Sequence, residues 1–544
     1  MKTASKYLAL SCIIFGLTFC GKTDTTPAPV ITIPTTPVTP TNPVVDNTDK
    51  VLMDKIQKNT FNYFWDFGHP TSGMARERIS SGETVTTGGT GFGVMAIVTA
   101  TSRGWITRTQ AVERLTKLTT FLEKADRFHG VWPHWMNGTT GKVIPFSAKD
   151  NGGDLVETSF MVAGLLTAKE YFNGGDAAET ALRDKIKTLW EGVEWKWHIN
   201  NGDLMWHWSP TFDFQMNFKI KGYNEALITY VLALASPTNA IPSSIYENTW
   251  KSSGDFIRPQ ENFGYRLDIG PSFGGPLFFV HYSFLGLDPR MMKDQHTYYW
   301  QHAVNTTLTN RAYCIEKAPK EYGYSEKNWG LTSSDEPNGY SDHSPQNGRD
   351  NGTIAPTAAL SSFPYTPYYS MQALKNFDSD SRLSGALGFF DAYNKKANWY
   401  AKDYIAIDQG PIVVMMENYR SGLIWKLFMN VPEIKSALAK MNIQKPQFIT
   451  GFQYATLETN NKVFDMMKNV DSGKYEIDYF VAESDRAVID LMDEKGETVI
   501  KNVLPSQAIA GASVLSFGDG ITEGKYQLRL TVGAKVVKLA VWLH

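Results

Sequence analysis

The chain has 544 residues with 53 Lys and Arg against 55 Asp and Glu, a formal net charge of −2. That length exceeds one compact sheet domain and calls for two or three units, and the balanced charge argues against a nucleic-acid or acidic-surface partner. Aromatic residues reach 13%, with 15 Trp, more than packing needs, and flat rings with polar edges stack well on sugar faces.

Lys2 and Lys6 precede an apolar run over residues 7–19. The run has the charge and length of an export signal and is too short for a comfortable membrane span. Its end, "LTFCG", resembles a bacterial lipobox, in which Cys20 is the lipidated first residue. Residues 1–19 are therefore expected to be a signal peptide, and the protein to be lipid-anchored in the cell envelope, in the periplasm or on the outer-membrane surface. Cys12 falls in that signal, so Cys20 and Cys314 leave no intramolecular disulfide for the mature part. Residues 20–48 are rich in Thr, Pro and Val and read as an extended spacer, because so many prolines forbid helix and sheet.

From residue 49 the periodicity is helical. Val51, Leu52, Ile56, Phe61, Phe64 and Trp65 share a face, and a polar loop with Arg76, Glu77 and Arg78 follows. "TTGGTGFGVMAIVTATSRGW" is then nearly all apolar, and "TRTQAVERLTKLTTFLEKA" is one-sided. The alternation recurs. Buried helices are expected to open near Gly88, Asp154, Tyr223, Gly274, Ala355 and Gly410. One-sided helices are expected over 107–125, 177–190, 242–255, 291–311 and 381–394. Helices buried all round alternating with one-sided ones predict a two-layered ring, an all-α (α/α)6 barrel over residues 49–455. An α-solenoid is the alternative, but the sequence shows no fixed repeat period. Past residue 462 apolar and polar residues alternate, with turns at "DEKGE" and near Gly533, which predicts a small antiparallel β-sandwich over 463–544.

In such a ring the loops entering the inner helices gather at one end. Those loops carry Asp150, Asp154, Glu157, Glu225, Asp350 and Asp408. Asp154 and Glu157, three apart, share a helical turn and come close to a capping box. A cap accounts for each acid singly, but not for acids and glycines at alternate helices only, and a functional cleft follows. Glycosidic hydrolysis needs two carboxyl groups, one protonated and one ionised, and mutual repulsion can hold one proton near neutral pH. Pro411 is expected as the first residue of its helix. Loops with Trp132, His134 and Trp135, and with Tyr322, Trp329, Asp335 and Tyr340, add rings to the same mouth. No metal site is expected, since His134 and His281 lack HExxH or i, i+4 spacing, and phosphate-loop and nucleophile-elbow motifs are missing, so no cofactor is expected.

Several long stretches, "WHWSP" with "GYNEALITYVLALASPT", "GPLFFVHYSFLGLDPR", "NWGLTSSDEPNGY" and "DQGPIVVMMENYRSGLIWKLF", resemble the glucoamylase-like (Glycoamylase) domain family, which includes the β-1,2-glucanases of glycoside hydrolase family 144. The resemblance spans residues 50–452. It implies an (α/α)6 barrel, an inverting hydrolysis of β-1,2-glucan, a glucan substrate and, for this chain, a monomer. It puts the catalytic acids at Asp154, Glu157, Glu225 and Asp408, with Asp150 beside them, Glu225 as general acid and Asp154, supported by Glu157, activating water. Arg76, Trp132, His134, Phe278, His281, Trp329, Asp335, Tyr340 and Asp350 would hold glucose units. A non-catalytic glucan-binding lipoprotein is the alternative from another class. A polysaccharide lyase would want an Arg-rich cleft, which acid-rich helix starts do not supply.

Overall fold

Asn47–Trp65 (α1) opens the described chain and buries Met53, Ile56, Phe61 and Phe64. The computed structural model describes residues 47–445 apart from 253, 255 and 347, together with 462–468, 475–481, 487–503, 511–517 and 524–543. The expected signal peptide, Cys20 and the spacer up to residue 46 lie outside the described residues.

Helices then alternate in character as the sequence predicts. Thr87–Ser102 (α2) and Leu155–Tyr171 (α4) are buried almost throughout, whereas Arg108–Lys124 (α3) and Ala177–Glu191 (α5) bury one side. Leu227–Ala235 (α6) is buried at every position. After Ser243–Ile245 (α7) and a π-turn at Tyr246–Trp250 come Tyr299–Glu316 (α8), Pro356–Leu360 (α9), Pro367–Asp378 (α10), Ala406–Ser421 (α11), Leu423–Asn430 (α12) and Pro432–Lys440 (α13). On the inside, α2 packs between α4 and α11, α4 also meets α6, and α11 lies against α9. The turn Ser283–Leu285 touches both α6 and α11 and closes the circle. Six inward elements, each paired with an outer one, make the (α/α)6 ring.

Three sequence expectations change. The inner element near Gly274 is a chain of 3-10 turns at Ser272–Gly274, Leu277–Val280 and Ser283–Leu285, because Gly274 and Gly275 take positive φ and Pro276 follows. The one-sided helix expected over 381–394 is a 3-10 turn and short strands. Its place is taken by α10, which starts on Pro367. Gly388 has φ 98°, and a Cβ there would come within 2.5 Å of Thr60 Oγ1, so helix is barred at that position. Pro411 lies inside α11, which begins at Ala406.

At the far end of the ring from the helix starts, α12 packs under α2, α4 and α11, and Trp425 Nε1 donates to the Phe284 carbonyl at 2.6 Å. The C-terminal strands form two antiparallel sheets, one of 462–468, 475–481 and 511–517, the other of 487–492, 498–503, 524–532 and 535–543. Turns fall at Asp493–Gly496 and at Gly533, as the pattern predicts. Asp49 in α1 pairs with Lys375 of α10 and with Lys525 of the strand Gly524–Val532.

Candidate active site

Asp154 has extended backbone and caps α4, its Oδ1 accepting the amides of Val156 and Glu157 at 3.0 and 2.9 Å. The expected capping box stays open. The Asp154 amide donates to the Trp132 carbonyl, and Glu157 turns away to the neighbouring helix, where its Oε2 accepts the Gly88 amide at 2.7 Å. A Cβ at Gly88 would lie 2.5 Å from that oxygen, so only glycine lets the carboxylate approach. The other Asp154 oxygen holds His134 Nδ1 at 3.0 Å and Trp206 Nε1 at 3.3 Å. Both of its oxygens are thereby taken.

His134 Nε2 stands 4.0 Å from Glu157 Oε1, and Asp150 pairs with His207 Nε2 at 3.1 Å. Burial pulls the imidazole of His134 down but is outweighed by Glu157, Asp154 and Asp150, which lift it to about 9. Glu157 is pushed up to about 7, by burial first and then by Asp154 and Asp150, against the pull of His134 and the Gly88 amide. Exposed Phe146 stacks on the His134 ring at 4.2 Å, and exposed Phe218 on Trp206 at 4.8 Å.

Glu225 stands two residues before α6. Ser283 Oγ donates to its carbonyl and accepts the Ile228 amide, which fixes the backbone. Its carboxyl takes no hydrogen bond from any other side chain among the described residues. Burial lifts it to about 7, with the charges of Glu157 and Asp154 adding to the rise.

On the opposite side, Asp408 in the first turn of α11 accepts the Tyr282 hydroxyl at 3.3 Å through Oδ1. Asp391 interacts with the Asp408 side chain and takes the Asp335 amide at 2.7 Å. Asp335 is forked by Arg78 at 2.9 and 3.1 Å, and Arg78 also holds Glu77. Tyr340, paired with Asp335 across a hairpin, is 49% exposed. Glu225 and Asp408 both act on the electrostatics of Tyr282, which places that ring between the two groups of acids.

The remaining sequence candidates divide. Phe278 is partly exposed and packs 5.1 Å from Tyr282. Arg76 stacks on Phe67 at 4.9 Å and its Nε has no hydrogen-bond partner. Trp132 and Trp329 are fully buried, and Trp132 Nε1 is used by the Leu122 carbonyl, so these rings are core and not sugar platforms. His281 is buried on Ser362 at 2.9 Å, and burial pushes it down to about 3. Asp350 is taken by the hydroxyls of Tyr313 and Tyr324 and by the Gly352 amide; it ties down its own loop.

Sequence reasoning missed Gly88, Trp206, His207, Tyr282, Arg78 and Asp391 as site residues. Trp206, His207 and Tyr282 sat inside quoted motifs, but Asp391 carries no signal, because it opens no helix. His134, Asp150 and Asp154 offer ligand atoms within 4.8 Å of one another, a spacing that admits a metal ion. In the structure those atoms are engaged by one another, by His207 and by helix amides.

A family model, Glycoamylase ("Putative glucoamylase"), matches residues 217–432. An endo-β-1,2-glucanase from Chitinophaga pinensis, solved with sophorotriose and glucose, is 50% identical at TM-score 0.71, over 73% of this chain and 98% of that one. The chain belongs to the Glycoamylase family. An exo β-1,2-glucooligosaccharide sophorohydrolase (non-reducing end) from Parabacteroides distasonis is 44% identical over 418 residues, 72% of this chain. The match spans 58% of that relative's own length. An endo-β-1,2-glucanase from Talaromyces funiculosus, 11% identical at TM-score 0.55 over 73% of this chain and 92% of that one, shares the fold.

Proposed function

We propose that the chain is a glycoside hydrolase acting on β-1,2-glucan by inversion, a member of glycoside hydrolase family 144. One observation carries the assignment of roles: among the described residues no side chain hydrogen-bonds the Glu225 carboxyl, which burial pushes up to about 7 beside Glu157. Glu225 gives its proton to the leaving glycosidic oxygen. Glu157 takes a proton from water that attacks the anomeric carbon from the opposite face. Asp154, with both oxygens engaged, positions His134 and the start of α4, which moves the base from Asp154 to Glu157. His134 stabilises the ionised form of Glu157 and so decides which of the two acids loses its proton first.

The reading is tested by incubating purified protein with linear β-1,2-glucan and with starch, following reducing sugar and the first anomer released. The expected result is α-anomer from β-1,2-glucan alone; release from starch alone, or initial β-anomer, sinks it. The relatives named above are an endo-glucanase and a sophorose-releasing exo-enzyme. A ladder of products assigns the first mode and sophorose alone the second.

We further propose export by residues 1–19, lipidation at Cys20, a spacer up to α1, a C-terminal sandwich of the two sheets and a monomer in the cell envelope. The Lys2/Lys6 charge, the apolar run and "LTFCG" support the anchor. Cys20→Ala should move the protein from the detergent to the aqueous phase, and light scattering reads the monomer.

A further inference from the structure

We propose that Asp391 and Asp408 hold one proton between them and act together as positioning residues for the Tyr282 hydroxyl at the edge of the cleft. The kinetic part rests on the hydrolase reading; the rest stands without it.

Both carboxyls are buried, Asp391 at 2% and Asp408 at 1% exposure. Two of their four oxygens have donors: Asp391 Oδ2 takes the Asp335 amide and Asp408 Oδ1 the Tyr282 hydroxyl. Asp391 Oδ1 and Asp408 Oδ2 have none. The two carboxyls interact side chain to side chain, and two adjoining anions out of water cannot both persist. One proton turns the contact into a charge-assisted O–H···O⁻ bond and satisfies both orphan oxygens.

Among the described residues the surroundings supply no substitute for that proton. Asp335 and Tyr340 come from the 333–342 hairpin, Glu77 and Arg78 from the loop after α1, Asp403 from the chain before α11, and Glu225 from beyond Tyr282. Arg78, the cation among them, is forked onto Glu77 and Asp335. Burial and then the Asp335 charge push Asp391 up to about 7, and burial and then the Asp391 carboxyl push Asp408 well above the usual carboxylate range.

The consequence reaches the cleft through Tyr282. Its proton is committed to Asp408, so its oxygen lone pairs are left to accept a sugar hydroxyl. Loss of the shared proton would drive the carboxyls apart and release the ring. Asp408 therefore acts through Tyr282 and not on the glycosidic bond.

Infrared spectra of wild type and Asp391→Asn at about pH 8.5 test this, since carboxyls near 7 such as Glu157 and Glu225 have ionised there. The wild type should keep a protonated-carboxyl band that the variant lacks, because an Asn amide donates to an ionised Asp408. No band in the wild type, as a cation between two carboxylates would give, overturns the proposal, and so does an unchanged band in the variant. On β-1,2-glucan, the variant to wild-type ratio of kcat should hold steady wherever the wild type keeps that band and rise about tenfold over the higher pH range in which the band is lost, one decade being a modest part of a carboxyl titration, with KM little changed. A ratio flat with pH means Asp391 is only structural. If the wild type cleaves no glucan, the hydrolase reading fails while the spectra still decide the shared proton.

Discussion

Glu157 and Glu225 are both pushed to about 7, yet by different surroundings. Glu157 has the Gly88 amide and His134 to stabilise its charge, whereas Glu225 has no side-chain hydrogen-bond partner among the described residues, the asymmetry on which the proposed roles rest. Activity should follow a bell with its maximum near neutral pH, the two limbs belonging to the coupled pair. Glu225→Gln keeps shape and loses the proton donor. We expect kcat to fall by about 10²–10⁴ with glucan binding retained, the usual worth of a general acid. Activity surviving unchanged in that variant would reassign the donor.

At the level of elements, Asp154 serves α4 and the cleft at once. Asp154→Ala removes a cap worth about 1 kcal/mol and takes the acceptor from two half-buried donors, His134 Nδ1 and Trp206 Nε1, at about 1 kcal/mol more. Asp154→Asn keeps a cap acceptor and should cost well under the alanine value while still lowering the titration of His134; melting curves and His proton NMR read the two effects apart. Much of this was legible beforehand. The alternation of buried and one-sided helices gave the ring, and acids at Asp154, Glu157 and Glu225 sat where inner helices begin. Trp132, Trp329 and His281 misled because an aromatic or His in a Gly-rich loop reads the same whether it points to core or cleft. The short turns at 272–285 and the strands over 384–394 escaped because glycine geometry, not hydrophobic period, governs them. Asp391 escaped because its partner Asp408 is seventeen residues on, a pairing made only by the folded ring.

For the whole molecule, two sets of buried groups oppose each other in pH. Glu157, Glu225 and Asp391 bind protons more tightly folded than unfolded, so stability from them is lost as pH rises from about 4 to about 7. His198, His281 and His302 are pushed down to about 3 by burial, so stability is lost as pH falls from about 6.5 toward 3. His134, raised to about 9, adds a loss between about 6.5 and 9. The melting temperature should peak at about pH 5–6.5 and decline on both sides. A melting temperature still climbing from pH 7 to 9 contradicts this balance.

The α2–α4 contact carries one further consequence. A Cβ at Gly91 would fall 2.2 Å from the Phe160 carbonyl, and one at Gly164 the same distance from the Gly91 carbonyl. The two helices thus touch main chain to main chain, with no layer of side chains between them that could shift. Their amide hydrogens should exchange with solvent only when the whole barrel opens, whereas those of the 272–285 turns should exchange through local openings. Glu157 and the Gly88 amide that it accepts are then held by a contact with no side-chain layer to adjust.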